Sequence, residues 1–126
     1  MDNKNKHIEY WIKNAESDLD TARLLLENKK VLHSLFFCHL VIEKTLKALV
    51  LNYTNDFAPK SHNLIFLTDK SGITLAEEFE DFTGILMKYQ LEGRYPDFNP
   101  DIPNIDKANE FLRKTNELHI WLKKKL

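Results

Sequence analysis

The sequence predicts an all-α protein, an antiparallel up-and-down four-helix bundle with one short additional helix. Apolar residues recur at intervals of three and four along most of the chain, which is the period of an amphipathic helix. The chain contains only three glycines and four prolines, so turns are few. Its 126 residues match one domain at roughly 150 residues per domain, and we therefore treat residues 1–126 as a single helical domain.

The first two helices are predicted from their apolar stripes. One stripe runs from Ile8 to Leu26 and predicts a helix of about 20 residues that stops at Asn28-Lys29-Lys30. The second helix, from about Val31 to Tyr53, is apolar on several sides in its first half. Such a helix typically occupies the centre of a bundle or also lines a subunit interface.

The remaining elements are shorter and are separated by clear breaks. Ser61 is the predicted cap of a short helix over residues 62–69, and a fourth helix is predicted from about Leu75 to Tyr89. Three of the four prolines lie between Gly93 and Pro103, which predicts an extended loop. Asn104 is the predicted cap of the last helix.

Composition excludes several functional classes. Eighteen Lys and Arg residues against nineteen Asp and Glu give a net charge of −1, which argues against binding of duplex DNA through many phosphates. No apolar run approaches the ~20 residues of a membrane span, and the polar N-terminus is unlike a signal peptide. We therefore expect a cytoplasmic protein. The single cysteine, Cys38, excludes an intramolecular disulfide and a multi-cysteine zinc site, and no cofactor is predicted.

Three charged residues interrupt the second helix: Glu43, Lys44 and Lys47. Glu43 and Lys47 are four residues apart with the acid first, which favours an ion pair on the helix surface. On one interpretation this pair is solvated and structural. On the other, the two lysines lie beside a cleft that holds a phosphate.

The histidines do not form a metal-binding pattern. His33 and His39 are six residues apart, which is about 240° around a helix or about 120° by the shorter way, so they lie on different faces. His62 and His119 are isolated in sequence and no HExxH motif occurs, which favours structural or surface roles. Cys38 lies among apolar and aromatic residues, where burial raises a thiol pKa, so we do not expect it to act as a nucleophile.

The proline-rich loop contains Arg94, Tyr95 and Asp97. A guanidinium is suited to forked recognition of phosphate, and a tyrosine ring can stack on a base. The alternative is a structural lock in which Arg94 pairs with Asp97 or a bundle carboxylate and Tyr95 packs beneath the loop.

Together these residues resemble the HEPN (higher eukaryotes and prokaryotes nucleotide-binding) domain over about residues 8–125. Four segments carry the resemblance. Trp11 and residues 15–19 lie in the first helix, and residues 36–49, which include Glu43, Lys44 and Lys47, lie in the second. Residues 60–64 are similar to the family's Lys-Thr-His-Asp-Leu segment, and residues 93–97 are similar to its Ala-Arg-Tyr-Pro-Asp loop.

The resemblance implies a helical bundle that commonly forms homodimers and is linked to nucleotides, often beside a nucleotidyltransferase partner in toxin–antitoxin-like pairs. It also implies that many members are metal-independent RNases, with an arginine followed after four to six residues by a histidine. No histidine follows Arg94 in that window. The only match is Arg113 with His119, whose offset of six residues places their side chains about 120° apart on a helix.

Three hypotheses follow from these observations. The first is a HEPN protein that binds a nucleotide or works with a nucleotidyltransferase, with Arg94, Tyr95, Lys44 and Lys47 as its nucleotide and phosphate contacts. The second is an RNase toxin that uses Arg113 and His119, or a different site around Arg94. The third is a non-catalytic helical module whose second helix forms a homodimer. The sequence favours a protein that is not an enzyme, with a metal-independent ribonuclease as the alternative.

Overall fold

The computed structural model describes residues 2–90 and 101–126, which form five α-helices and no strand. The prediction of an all-α fold is therefore confirmed. The helices are α1 (Asp2–Glu27), α2 (Val31–Thr54), α3 (Leu64–Lys70), α4 (Glu77–Met87) and α5 (Ile105–Lys123).

The four longer helices alternate in direction. The Ser34 hydroxyl, at the start of α2, donates to the Ala22 carbonyl near the end of α1, so these two helices run antiparallel. The rings of Phe79 and Trp121 lie 5.5 Å apart, whereas Tyr89 lies 6.4 Å from Phe111, so α4 and α5 also run in opposite directions. The result is the predicted up-and-down bundle, with α3 as the short additional helix.

Left-handed residues end the first two helices. Lys29 has φ 60°, and the N–H groups of Lys29 and Lys30 donate to the carbonyls of Leu26 and Leu25, which closes α1 at the predicted stop. Asn55, with φ 63°, ends α2 in the same way. The later turn at Gly72 has φ 72°, a left-handed conformation that favours glycine, and the ring of the exposed Tyr53 lies against it.

Helix α2 is the centre of the bundle and packs against α1, α3, α4 and α5. Its apolar residues Leu35, Val41, Ile42 and Leu46 are fully buried, so their several faces are covered within one chain. This packing also buries the charged residues of α2, and Glu43 is only 3% exposed. The Glu43–Lys47 ion pair forms as predicted, but the interpretation that it is solvated is wrong, because neighbouring helices surround this part of α2.

Several predicted boundaries differ from the structure. Helix α3 begins at Leu64 rather than at residue 62, because Asn63 is extended and its side chain accepts the Phe66 N–H at 3.0 Å. Ser61 instead accepts the Asn63 N–H. Helix α1 is longer than predicted, at 26 residues, and α4 is shorter at both ends. Asn104 caps α5 as predicted.

Two further observations concern the limits of the described chain. No helix within residues 2–90 and 101–126 has both the length and the apolar character needed to cross a membrane. Most of the predicted proline-rich loop, residues 93–100, lies outside the described residues.

Candidate functional site

The buried carboxylate of Glu43 lies among three other polar side chains, and we call the four residues the Glu43 cluster: His39, Glu43, Lys47 and His62. Glu43 Oε2 accepts a hydrogen bond from Lys47 Nζ at 3.1 Å, and Oε1 accepts one from His62 Nδ1 at 2.8 Å. The Glu43 side chain is 4% exposed, whereas that of His62 is 48% exposed. The cluster therefore extends from the bundle interior to the surface.

The extended segment before α3 brings His62 to this position. If α3 began at residue 62, that residue would be part of a helical turn. Because the helix begins at Leu64, the backbone carbonyl of His62 instead accepts a hydrogen bond from His39 Nε2 at 2.9 Å. His39 thus fixes the backbone of the same residue whose ring bonds Glu43.

The protonation of His39 follows from this contact. A carbonyl oxygen can only accept, so Nε2 carries the proton and, in the neutral ring, Nδ1 carries none. Nδ1 lies 3.6 Å from Glu43 Oε1 and has no hydrogen-bond partner. Burial lowers the pKa of the His39 imidazole to about 4, so the ring is neutral at physiological pH.

An aromatic residue borders the cluster on the side of α1. The Lys47 ammonium lies 5.4 Å from the centre of the Trp11 ring, within cation–π distance. Tyr10 packs edge-on against Trp11 at 5.7 Å and is 58% exposed. Trp11 itself is partly buried, and a cation beside such an aromatic pair is a combination that can hold a phosphate and stack a base.

The other predicted lysine lies farther along the same interface between α1 and α2. Lys44 Nζ contacts Asp18 Oδ2 at 2.6 Å and Asn14 Oδ1 at 3.5 Å. Both lysines predicted to contact phosphate are therefore paired with a carboxylate of this chain. Any phosphate that binds here must share or displace those contacts.

A second polar group, the His119 cluster, comprises Glu16, Thr45, His119 and Lys123. His119 Nδ1 lies 2.8 Å from Thr45 Oγ1, and Nε2 lies 3.0 Å from Glu16 Oε2. Lys123 Nζ donates to the same Glu16 oxygen at 2.9 Å. Hydrogen bonds from Lys123 and then His119 lower the pKa of the Glu16 carboxyl. Thr45 and His119 are buried, so the hydroxyl cannot meet a substrate and the cluster links α1, α2 and α5.

The structure does not bring the predicted catalytic pair together in one chain. Arg113 is 61% exposed and bonds Glu117 at 2.7 Å, whereas His119 faces the interior. Both ring nitrogens of His119 contact other side chains. The loop residues Arg94 and Tyr95, predicted to contact nucleotide, lie outside the described residues.

The remaining reactive groups considered from the sequence are the Cys38 thiol and the side chains that could bind a metal. Cys38 is fully buried, and burial raises the pKa of its thiol to about 11, as its apolar sequence environment predicted. Within residues 2–90 and 101–126, no group of three or more His, Cys, Asp or Glu side chains is arranged to hold a metal ion.

The contacts of His39 and His62 with Glu43 were not predicted from the sequence. His62 is isolated in sequence, and His39 was compared only with His33. A usable signal was present, because His39, Glu43 and Lys47 are spaced by four residues and therefore share one helix face. The extended backbone that carries His62 to that face could not be predicted from spacing.

Comparison with known proteins places the chain in a structural and sequence context. The family model for the HEPN domain matches residues 8–126. A crystal structure of TT1696 from Thermus thermophilus superposes with a TM-score of 0.79 at 22% identity, covering 94% of this chain and 98% of that one. The crystal structure of ST0689, described as an archaeal HEPN homologue, gives a TM-score of 0.66 at 21% identity, covering 94% and 96%. No curated protein matches the sequence significantly.

Proposed function

The chain belongs to the HEPN domain family, and from that premise we propose that it binds a nucleotide at the Glu43 cluster. In this proposal Lys47 and His62 contact the phosphate, and Trp11 and Tyr10 contact the base. The protein acts as a nucleotide-binding partner of a nucleotidyltransferase, in a toxin–antitoxin-like pair. It is not an RNase of the arginine–histidine type.

One observation carries the proposal: a single buried carboxylate bonds both Lys47, at 3.1 Å, and His62, at 2.8 Å. A buried ion pair is often no more stabilising than apolar residues of the same volume. A purely structural helix would therefore gain little from this arrangement. The arrangement does fix an ammonium and an imidazole next to an aromatic ring. The first two groups are suited to a phosphate, and the ring is suited to stack on a base.

The lysine pairing is compatible with ligand binding. An ammonium has three donors, and the contact with Glu43 uses one of them. In this proposal the remaining donors of Lys47, whose side chain is 11% exposed, turn to phosphate oxygens at the edge of the cluster while the Trp11 ring stays beside the cation. Lys44, which pairs with Asp18, would act as a weaker and more distant contact. Arg94 and Tyr95 are proposed as further contacts on the strength of the family resemblance.

The burial of His119 argues against the RNase alternative. A general acid or base must reach the proton that it transfers. Here the His119 side chain is only 3% exposed, and its ring lies between Thr45 and Glu16. Arg113 points to solvent and pairs with Glu117. A family-type RNase site would require this histidine to leave its buried position.

We also propose that the chain forms a homodimer through α2. Leu32, Phe36 and Leu40 are spaced by four residues and stay partly exposed, although α2 packs against four other helices. Such a stripe is suited to a second apolar surface. Analytical ultracentrifugation at micromolar concentration is the direct measurement of this association.

Isothermal titration calorimetry with ATP, ADP and inorganic tripolyphosphate tests nucleotide binding. We expect ATP to bind, and tripolyphosphate to bind more weakly because it lacks a base to stack on Trp11. The Glu43→Gln/Lys47→Met double variant should lose at least about tenfold in affinity, since one charge-assisted contact is worth about 1.5–3 kcal/mol. Removing both members of the ion pair avoids an unpaired buried carboxylate.

Lys125→Met is the matched control, because Lys125 also lies over a tryptophan, at 4.5 Å from the Trp121 ring centre, but in another part of the bundle. This variant should bind ATP as the wild type does. No binding of any probe by the wild type would contradict the proposal. Metal-independent cleavage of RNA that His119→Ala abolishes would favour the RNase hypothesis instead.

A further inference from the structure

The His39 ring contains a polar atom whose surroundings call for a proton. His39 is fully buried, and its Nδ1 has no hydrogen-bond partner. That atom lies 3.6 Å from Glu43 Oε1, so two lone-pair-bearing atoms lie close together. Buried polar atoms without a partner are rare in folded proteins, and each one calls for an explanation.

The charge balance around Glu43 indicates when such a proton would be needed. In the described contacts, Lys47 is the lysine that neutralises this carboxylate, whose side chain is 4% exposed. When the Lys47 ammonium is shared with a phosphate, Glu43 keeps its negative charge but loses part of the positive charge that balances it. The phosphate adds further negative charge nearby. A buried carboxylate in that situation is costly unless a proton or another cation replaces the lost charge.

Resting on the proposed function, we infer that nucleotide binding is coupled to the uptake of one proton, held between His39 Nδ1 and Glu43 Oε1. The proton comes from solvent, the Nδ1 lone pair forms the new N–H bond, and no bond in the protein breaks. The resulting N–H group donates to Glu43 Oε1 after a small contraction from 3.6 Å. His39 is then a positioning residue that keeps the carboxylate compensated and in place.

The surroundings of His39 support this assignment. The titratable and charged groups that face the ring in the described chain are Glu43 and Lys47 on its own helix and His62 on the segment before α3. Burial has the largest effect on the His39 pKa and opposes a charged imidazole, whereas the charge of Glu43 favours it and the charges of His62 and Lys47 oppose it. Withdrawal of Lys47 toward a phosphate therefore shifts the balance in favour of protonation.

His62 is the alternative proton acceptor, and its position makes it the weaker candidate. His62 Nδ1 already donates to Glu43 Oε1 at 2.8 Å, and its side chain is 48% exposed. Solvent screens the interaction of an exposed imidazole with nearby charges. His39 is buried, so a change of charge at Glu43 affects its protonation more strongly.

Proton uptake is measured by titrating ATP at pH 6 in two buffers that have different ionisation enthalpies. Any proton exchange by ATP itself is common to all variants, so the comparison between variants is decisive. We expect the wild type to take up about one proton more per ATP than His39→Gln, whose amide replaces the Nε2 donor but cannot titrate. Between pH 8 and pH 6 the affinity of the wild type should rise relative to this variant by up to about tenfold per pH unit.

His62→Gln is the matched control, and it should bind ATP more weakly while keeping the proton uptake. Nitrogen-15 NMR of the His39 ring should show one protonated nitrogen in the free protein and two in the complex. Equal uptake by wild type and His39→Gln, or loss of uptake in His62→Gln alone, would overturn the coupling. Absence of ATP binding by the wild type would instead overturn the proposed function, so the two failures are distinguishable.

Discussion

The Glu43 and His119 clusters use the same kinds of side chain but reverse which one is buried. In the Glu43 cluster the carboxylate is 4% exposed and the histidine that bonds it, His62, is 48% exposed. In the His119 cluster the imidazole is 3% exposed and its carboxylate, Glu16, is 43% exposed. Each carboxylate also bonds a lysine, at 3.1 Å for Lys47 and 2.9 Å for Lys123.

Because of this reversal, the two clusters differ in how strongly their stability depends on the partners of the buried group. Both nitrogens of the buried His119 imidazole have side-chain partners, Thr45 and Glu16. A carboxylate buried in its charged form needs continuous compensation, because its desolvation is costly. The His119 cluster is therefore a stable link between α1, α2 and α5. The Glu43 cluster is the one whose energy depends most on the position of its lysine, Lys47.

The largest expected effect is the loss of folding stability when Lys47 is replaced. Lys47→Met leaves the buried Glu43 carboxylate without its cation, and removing one member of a buried pair costs about 3–5 kcal/mol. The Glu43→Gln/Lys47→Met double variant removes both charges, so most of this loss should be recovered. Urea denaturation of the wild type and the two variants at pH 7 measures the difference.

The Glu110–Lys114 pair supplies the matched control for this experiment. It has the same residue types, order and spacing, but its side chains are 37% and 40% exposed. Lys114→Met should therefore cost far less than Lys47→Met, because solvent screens this exposed pair and Lys107 also contacts Glu110. If Lys47→Met costs no more than Lys114→Met, burial does not distinguish the Glu43 cluster from an ordinary surface pair.

The next effect is the dependence of stability on pH through His39. Burial lowers the pKa of this imidazole from its ordinary value of 6.5 to about 4. Between these values the unfolded chain binds a proton that the folded chain does not bind, so stability falls as the pH decreases from 6.5 toward 4. The loss should be on the order of 3 kcal/mol.

This contribution is isolated by comparing two histidine variants of α2. His39→Gln should have a flatter stability profile between pH 6.5 and pH 4 than the wild type, as measured by urea denaturation. His33→Gln, at an exposed position on the same helix, should keep the wild-type profile. Parallel profiles for wild type and His39→Gln would show that His39 is not a buried neutral ring.

Most of the fold was predictable from the sequence because helical periodicity repeats along the chain. The apolar stripes gave the number of helices, and the crowded apolar faces of Leu35, Val41 and Ile42 indicated that α2 is central or also lines a subunit interface. Boundaries were less accurate where a polar residue could cap in two ways. Ser61 and Asn63 both form turns at the start of α3, and only the structure shows that Asn63 is the cap.

The candidate site was only partly predictable. The four-residue spacing identified Glu43 and Lys47 as a pair, and the resemblance drew attention to residues 60–64. The burial of that pair depends on contacts between elements distant in sequence, such as His62 with Glu43. Periodicity on one helix carries no information about such contacts. The link from Glu16 to His119, residues that are far apart in the chain, was unpredictable for the same reason.

The smallest expected effect is the dependence of stability on pH through Glu16, the exposed carboxylate of the His119 cluster. Lys123 and then His119 lower the folded-state pKa of Glu16 below its ordinary value of 4.5. The charged carboxylate therefore stabilises the protein above that pH, and this stabilisation is lost as the pH falls through the lowered pKa. Because Glu16 is 43% exposed, solvent screening should keep the contribution below about 1 kcal/mol.

Urea denaturation between pH 5 and pH 3 measures this contribution. Glu16→Gln should remove that part of the acid-induced loss of stability. Glu9→Gln, at an exposed position on the same helix, should leave it unchanged. An effect of Glu16→Gln larger than that of His39→Gln would reverse the ranking of the two clusters.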